Sequence, residues 1–145
     1  MRLDRITGDV LDAPRSSTIL FATSARYRLV GIGEIMDREY GIRRGLDSYG
    51  FNLCPDCIYT APCLVLVATQ QNEIPSLRAI TTAFERCRLV CEHEGIKEIA
   101  MPPLFTKEYR WQEIEKIIKN VFASDDICFT VYFRSKERKN YEQRN

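Results

Sequence analysis

"IAMPPLFTKEYRW", residues Ile99–Trp111, decides how the rest of the chain is read. Ile99-Ala100-Met101 reads as the end of a short apolar strand. Pro102-Pro103 stops it, because a proline has no N–H to offer a sheet ladder. Seven mixed residues follow, and Trp111 opens a helical pattern. Strand, loop and helix in that order belong to a sheet with crossover helices. In such sheets ligands bind at loops beyond the strands' carboxyl ends.

Upstream of that stretch lies the clearest helix, Ser76–Glu94. Leu77, Ile80, Phe84, Cys87 and Cys91 recur at three- and four-residue steps and so share one face. Gly95 supplies a left-handed stop, and Lys97–Met101 is the strand that follows. His93, in the last turn, suits the helix dipole and not a catalytic role. Downstream, Trp111–Phe122 is a second helix, with a stripe of Trp111, Ile114, Ile118 and Val121. Asp125-Asp126 then turn the chain into a last strand, Ile127–Phe133.

Toward the amino end, Phe51–Thr69 reads as a hairpin, with strands Cys57–Thr60 and Cys63–Ala68 around Ala61-Pro62. Leu3–Thr7 and Ser17–Thr23 are two earlier strands. Glu34–Tyr40 is a short helix closed by Gly41, and Ile42–Asp47 adds another turn or two. The alternation over Leu64–Phe133 implies right-handed crossovers between neighbouring parallel strands. The expected class is α/β in three layers, a mixed central sheet with helices on both faces. Residues 1–134 form one domain in this reading, and 135–145 a charged, flexible tail.

The chain has 145 residues, 45% hydrophobic and 28% charged, a globular composition long enough for a sizeable core. Met1–Arg5 has no apolar core for a signal peptide, and no run approaches membrane-spanning length. The expectation is a soluble chain of the cytoplasm or nucleus with no membrane contact. A net charge of +1 hides an asymmetry: Arg134–Asn145 carries five basic and two acidic residues. That tail reads either as a solvated end or as an arm for a protein or nucleic-acid partner.

Six cysteines are present, and Cys54 and Cys57 form a single CxxC. A structural zinc site needs a second such pair or added histidines, and His93 is the only histidine. No metal and no cofactor is expected. The thiols read as reduced, small hydrophobes.

The loops at the strands' carboxyl ends are Gly8–Val10, Ser24–Gly33, Thr69–Pro75 and Pro102–Arg110. Asp9 stands where a carboxylate could accept a hydrogen bond from an exocyclic amine such as that of adenine. It would serve equally as a turn residue. Gly31-Ile32-Gly33 lets backbone amides approach a phosphate with a helix amino end behind them, or gives a flexible bend.

Taken together, "ITGDV" (6–10), "GIGEIMDREYG" (31–41), "GIKEIAMPPL" (95–104) with Trp111, and "ICFTVYF" (127–133) resemble a macro domain. The closest likeness is to the compact branch containing the terminal ADP-ribose protein glycohydrolase, and it covers Ile6–Phe133. The resemblance implies that Asp9 reads the adenine amino group, with the Val10 backbone beside it. Gly31, Ile32 and Gly33 match the first loop around the diphosphate, one residue shortened. Thr23 and Ser24 fall at the distal ribose, and Tyr132 beside the adenosine half.

The second phosphate loop of that family is glycine-rich. Here it is Leu104, Phe105, Thr106 and Lys107, followed by Glu108, with no glycine. The family's hydrolytic lysine position reads Thr69, which cannot form a Schiff base on an opened ribose. The asparagine of other hydrolytic branches is missing from Phe21–Ala25. Glu108 is the one carboxylate in the loop that could orient a water, and Lys107 could offer a charge to phosphate.

Three functions are compatible with these residues. One is binding of ADP-ribose, free or on a modified protein, without lysine-dependent hydrolysis. Another is an ADP-ribosyl hydrolase built on Glu108. The third is an interaction module for protein or nucleic acid, with Arg26-Tyr27-Arg28, Arg43-Arg44 and the tail as its basic surface.

Overall fold

Cys63–Thr69 (CLVLVAT) is apolar along its length because both its faces are covered. In the computed structural model, which describes residues 1–50, 54–70 and 73–135, this segment is the fourth of six strands. The strands are β1 (Arg2–Thr7), β2 (Thr18–Ser24), β3 (Asp56–Thr60), β4 (Cys63–Thr69), β5 (Glu98–Met101) and β6 (Cys128–Phe133). The helices are α1 (Ile32–Tyr40), α2 (Ile42–Tyr49), α3 (Leu77–Glu94) and α4 (Trp111–Val121). The sheet order is β1-β6-β5-β2-β4-β3. Its pairs are parallel except the hairpin β3–β4 at one edge.

The three-layer α/β architecture is as expected, with one correction to the strand order. β4 and β5 are parallel but not neighbours, since β2 lies between them. Periodicity reports that a strand is buried on both faces, not which strand is inserted beside it. The segment 51–53, which the sequence places at the start of the hairpin, lies outside the described residues, as do 71–72 and 136–145.

Local signals set the helix ends. Ser76 caps α3 by accepting a hydrogen bond from the Ala79 amide at 3.0 Å, and Gly95 ends it in the left-handed conformation at φ +68°. Gly41, at φ +66°, both closes α1 and opens α2. The main core joins α3 and α4 to one sheet face through Ile80, Phe84, Cys87, Trp111, Ile114, Ile118 and Phe122. Phe122 meets Phe129 edge-on at 4.9 Å, and Trp111 meets Phe133 at 5.9 Å.

Two stripe positions differ from expectation. Leu77, at the first position of α3, is 37% exposed, while Ala83 is buried. On α4 the fully buried end of the stripe is Phe122 and not the half-buried Val121.

The second core lies on the opposite face, where α1 and α2 bring Met36, Ile42 and Leu46 against Phe21, Val65 and Val67. Gly33 packs tightly there: a β-carbon would sit 3.1 Å from the Phe21 ring and 3.3 Å from Leu29, so both would have to yield. Over β5 and β6 this face carries a thinner cover. A single 3-10 turn, Val10–Asp12, and the flank of α1 cover a small cluster of Val10, Ala100 and Tyr132.

Candidate functional site

The turn after β1 is built by Asp9. Its Oδ1 accepts the Leu11 amide at 2.9 Å, which caps the 3-10 turn and buries Val10. Beneath it stands Tyr132 on β6. Burial, and after it the nearby Asp12 carboxylate, pushes the Tyr132 phenol above its ordinary range, so it stays a neutral hydrogen-bonding group. Gly8 lies against this ring, with room for a β-carbon only in van der Waals contact at 3.7 Å.

Opposite the turn, Gly31 takes φ +57° and ψ −123°, a conformation reserved for glycine, and starts α1 with no side-chain cap. No side chain therefore caps the amino end of α1. Between the two walls lies a cleft of about 270 Å³. Gly8, Asp9, Val10 and Leu11 form one side, Gly31, Ile32 and Ile35 the other, and Pro102, Tyr132 and Arg134 the end.

Five of the residues singled out in the sequence thus line one cleft: Asp9, Val10, Gly31, Ile32 and Tyr132. Gly33 does not line it. Its amide donates to the Val30 carbonyl at 3.1 Å and its Cα faces Phe21, so it serves packing. Thr23 is committed to loop closure, donating from Oγ1 to the Arg28 carbonyl at 2.8 Å. Ser24 sits at a β-bulge, where β2–β4 pairing jumps from Thr23↔Val67 to Ser24↔Thr69. Its Oγ is buried without a hydrogen-bond partner among the described residues. Such a group costs stability unless something outside the chain satisfies it.

The loop between β2 and α1 is pinned by Tyr27. That residue is fully buried in a left-handed conformation at φ +56°, its hydroxyl donates to the Gly50 carbonyl, and Arg43 donates to its own carbonyl at 2.9 Å. Tyr27 and Arg43 therefore belong to the scaffold, which removes them from the basic surface suggested by Arg26-Tyr27-Arg28 and Arg43-Arg44.

The loop after β5 has an unexpected form. Leu104 is buried in the main core, and Phe105 packs against that core while its backbone holds φ +61°. The position keeps a glycine-like backbone, and the ring is drawn toward the core. Tyr109 anchors the loop by donating from its hydroxyl to the Pro75 carbonyl at 2.7 Å. Thr106 is half-buried, and Lys107 and Glu108 are exposed at the loop's surface. The Thr69 carbonyl accepts the Ala25 amide at 2.9 Å.

Four lining residues were not among those singled out: Gly8, Leu11, Ile35 and Pro102. A fifth, Arg134, had been counted with the tail. Gly8, Ile35 and Pro102 lie inside the quoted motifs ITGDV, GIGEIMDREYG and GIKEIAMPPL. Arg134 carried no signal, because its place depends on the β1–β6 register, in which Thr7 pairs with Phe133.

No protein-family model matches the sequence. No curated protein matches it either. Solved structures do. The macrodomain of Mycobacterium tuberculosis DarG superposes with a TM-score of 0.76 at 15% identity, covering 90% of this chain and 96% of that one. The chain has the macrodomain fold. Thermosipho africanus DarTG in complex with ADP-ribose superposes with a TM-score of 0.71 at 12% identity, over 94% of this chain and 43% of that one. The Oceanobacillus iheyensis macrodomain with ADP superposes at 0.65 and 14% identity, over 97% and 88% of the two chains. On this macrodomain scaffold the cleft occupies the carboxyl edge of β1, β6 and β5. No group of side chains among the described residues is arranged to hold a metal ion, and no described helix is long and apolar enough to cross a membrane.

Proposed function

We propose that this macrodomain binds ADP-ribose or a closely related adenine nucleotide, free or attached to a protein, without lysine-dependent hydrolysis. The observation that carries the reading is the convergence of Asp9, Val10, Gly31, Ile32 and Tyr132 on one cleft. Oδ1 of Asp9 is held by the Leu11 amide. That bond fixes the carboxylate and leaves Oδ2 to accept the adenine amino group. Val10 and Tyr132 give the base an apolar bed, and the uncapped amino end of α1 at Gly31 receives the diphosphate. The buried Ser24 hydroxyl, at the bulge beyond, supplies a hydrogen bond to the distal ribose. Macrodomains seen with ADP-ribose and with ADP, in Thermosipho africanus and Oceanobacillus iheyensis, are in keeping with this ligand class.

The site is poor in chemistry. Thr69 offers no amine, and the exposed Glu108 side chain makes no hydrogen bond or ion pair with another described residue that would orient it. Binding is therefore the function the residues support. Titration calorimetry of the chain with ADP-ribose tests it. Saturable one-to-one binding is expected, and no heat at millimolar ligand refutes the reading. A turnover assay on ADP-ribosylated protein is expected to show no release above background.

A further inference from the structure

The cleft does not end at the adenine position. Along the flank of α1, toward the amino edge of the sheet, lies a second cavity of about 590 Å³, roughly twice the first. Leu11 borders both cavities. They also share a floor, since Ile19 and Ala13 below the second pack with Val10, Tyr132 and Ile32 below the first. Leu11 and this shared floor link the two cavities along the flank of α1.

Its lining is specific. Tyr40, the last residue of α1, is 60% exposed, and Leu11 is 42% exposed. Pro14 and Pro62 add flat apolar surface, and Arg15 brings a cation that makes no hydrogen bond or ion pair with another described residue. Asp12 adds an acceptor. An exposed aromatic ring, aliphatic walls and a guanidinium are what a stacked base and its phosphate require. A purely apolar peptide would leave the Arg15 and Asp12 charges without partners.

We infer that this second compartment takes a further nucleotide unit, joined on the adenosine side of the first, so that the chain prefers a ligand of two linked nucleotides over a single one. The inference rests on the nucleotide reading of the cleft. In it the second base stacks on Tyr40 and the phosphate it carries meets Arg15, while the linker crosses Leu11.

The test is calorimetry of the full chain with AMP, ADP-ribose and the 5′-phosphorylated adenylate dinucleotide. The dinucleotide should bind at least tenfold more tightly than AMP. Tyr40→Ala and Arg15→Glu should each remove most of that gain while leaving ADP-ribose affinity within about twofold, since both side chains are on the surface and outside the first cleft. Equal affinity for AMP and the dinucleotide, beside intact ADP-ribose binding, overturns the second compartment alone. A dinucleotide preference that survives both substitutions also overturns it, placing the second unit elsewhere, such as on the basic tail. Failure of AMP and ADP-ribose alike overturns this inference together with the reading it rests on.

Discussion

The Asp9 carboxylate accepts the Leu11 amide at 2.9 Å, so the residue assigned to adenine is also the cap of the turn that shapes the cleft. The two roles separate by substitution. Asp9→Ala should weaken ADP-ribose binding by roughly 1–3 kcal/mol, the usual cost of leaving a buried partner without its charge-assisted bond. Asp9→Asn keeps an oxygen for the Leu11 amide but turns its NH2 toward the adenine amine. It should lose affinity to a similar degree with an unchanged melting temperature. Full affinity in the asparagine variant would mean that the carboxylate only builds the turn.

Gly33 should report on folding before binding. A β-carbon there meets Phe21 at 3.1 Å and Leu29 at 3.3 Å. Gly33→Ala is expected to cost about 1–2 kcal/mol by overpacking, and Gly33→Glu more, since it also buries a charge. Denaturant midpoints measure this. If Gly33→Ala folds with full stability yet fails to bind ADP-ribose, its amide faces the ligand after all.

Phe105 combines a left-handed backbone with a ring packed on the core. Phe105→Ala loses the ring and keeps the strain, whereas Phe105→Gly loses the ring and relieves it. The glycine variant should therefore be the more stable of the two by about 1 kcal/mol, the cost of the left-handed region to a residue with a β-carbon. ADP-ribose affinity should be the same in both or improved. An alanine variant more stable than the glycine one would show that the left-handed conformation is not held in solution.

The side chain of Arg5 on β1 donates from Nε and Nη2 to the two carboxylate oxygens of Glu115 on α4, and the Trp111 indole donates to the same carboxylate at 3.3 Å. Burial alone would raise the Glu115 carboxyl. The Arg5 hydrogen bonds and charge, with Lys119 and Trp111, outweigh it and hold the group below its ordinary value. A carboxyl depressed in the folded state adds stability above its unfolded pKa of about 4.3 and loses it as pH falls through the folded value. Glu115→Gln should lower stability at pH 7 by roughly 1–3 kcal/mol. Below pH 4 the difference from the parent chain should shrink. Parallel acid-unfolding curves for the two proteins would remove the pair from the stability account.

Burial pushes the Cys63 thiol up to about 12. Cys87 is raised by its hydrogen bond with Cys57 and by burial, against a lowering contact with Cys91, and Cys91 is raised by its hydrogen bond with Cys87 and by burial. These thiols should resist alkylation at pH 8 until the protein unfolds, whereas half-buried Cys54 and Cys128 react first. Protein purified without chelator should carry no stoichiometric zinc. Alkylation of Cys63, Cys87 or Cys91 in the folded protein would contradict the first expectation, and one equivalent of zinc retained through dialysis the second.

How much of this was legible beforehand depends on the range of each interaction. Ser76 and Gly95 announce the ends of α3, and Gly41 the break between α1 and α2, because capping acts within one turn of chain. The parallel α/β class follows from alternation, and Asp9 and Gly31 could be singled out because turn chemistry is also local. Other features depend on residues far apart in sequence. The insertion of β2 between β4 and β5, the burial of Phe122 where Val121 was expected, and the inward ring of Phe105 all follow from which surfaces meet. Arg134 reaches the Asp9 cleft only because β6 pairs with β1, across more than a hundred residues of chain. The sequence by itself determined the elements and their ends, since those are set by contacts a few residues apart. Tertiary structure alone decided which side chains share the cleft, because packing competes over the whole chain at once and leaves no periodic trace in any one segment.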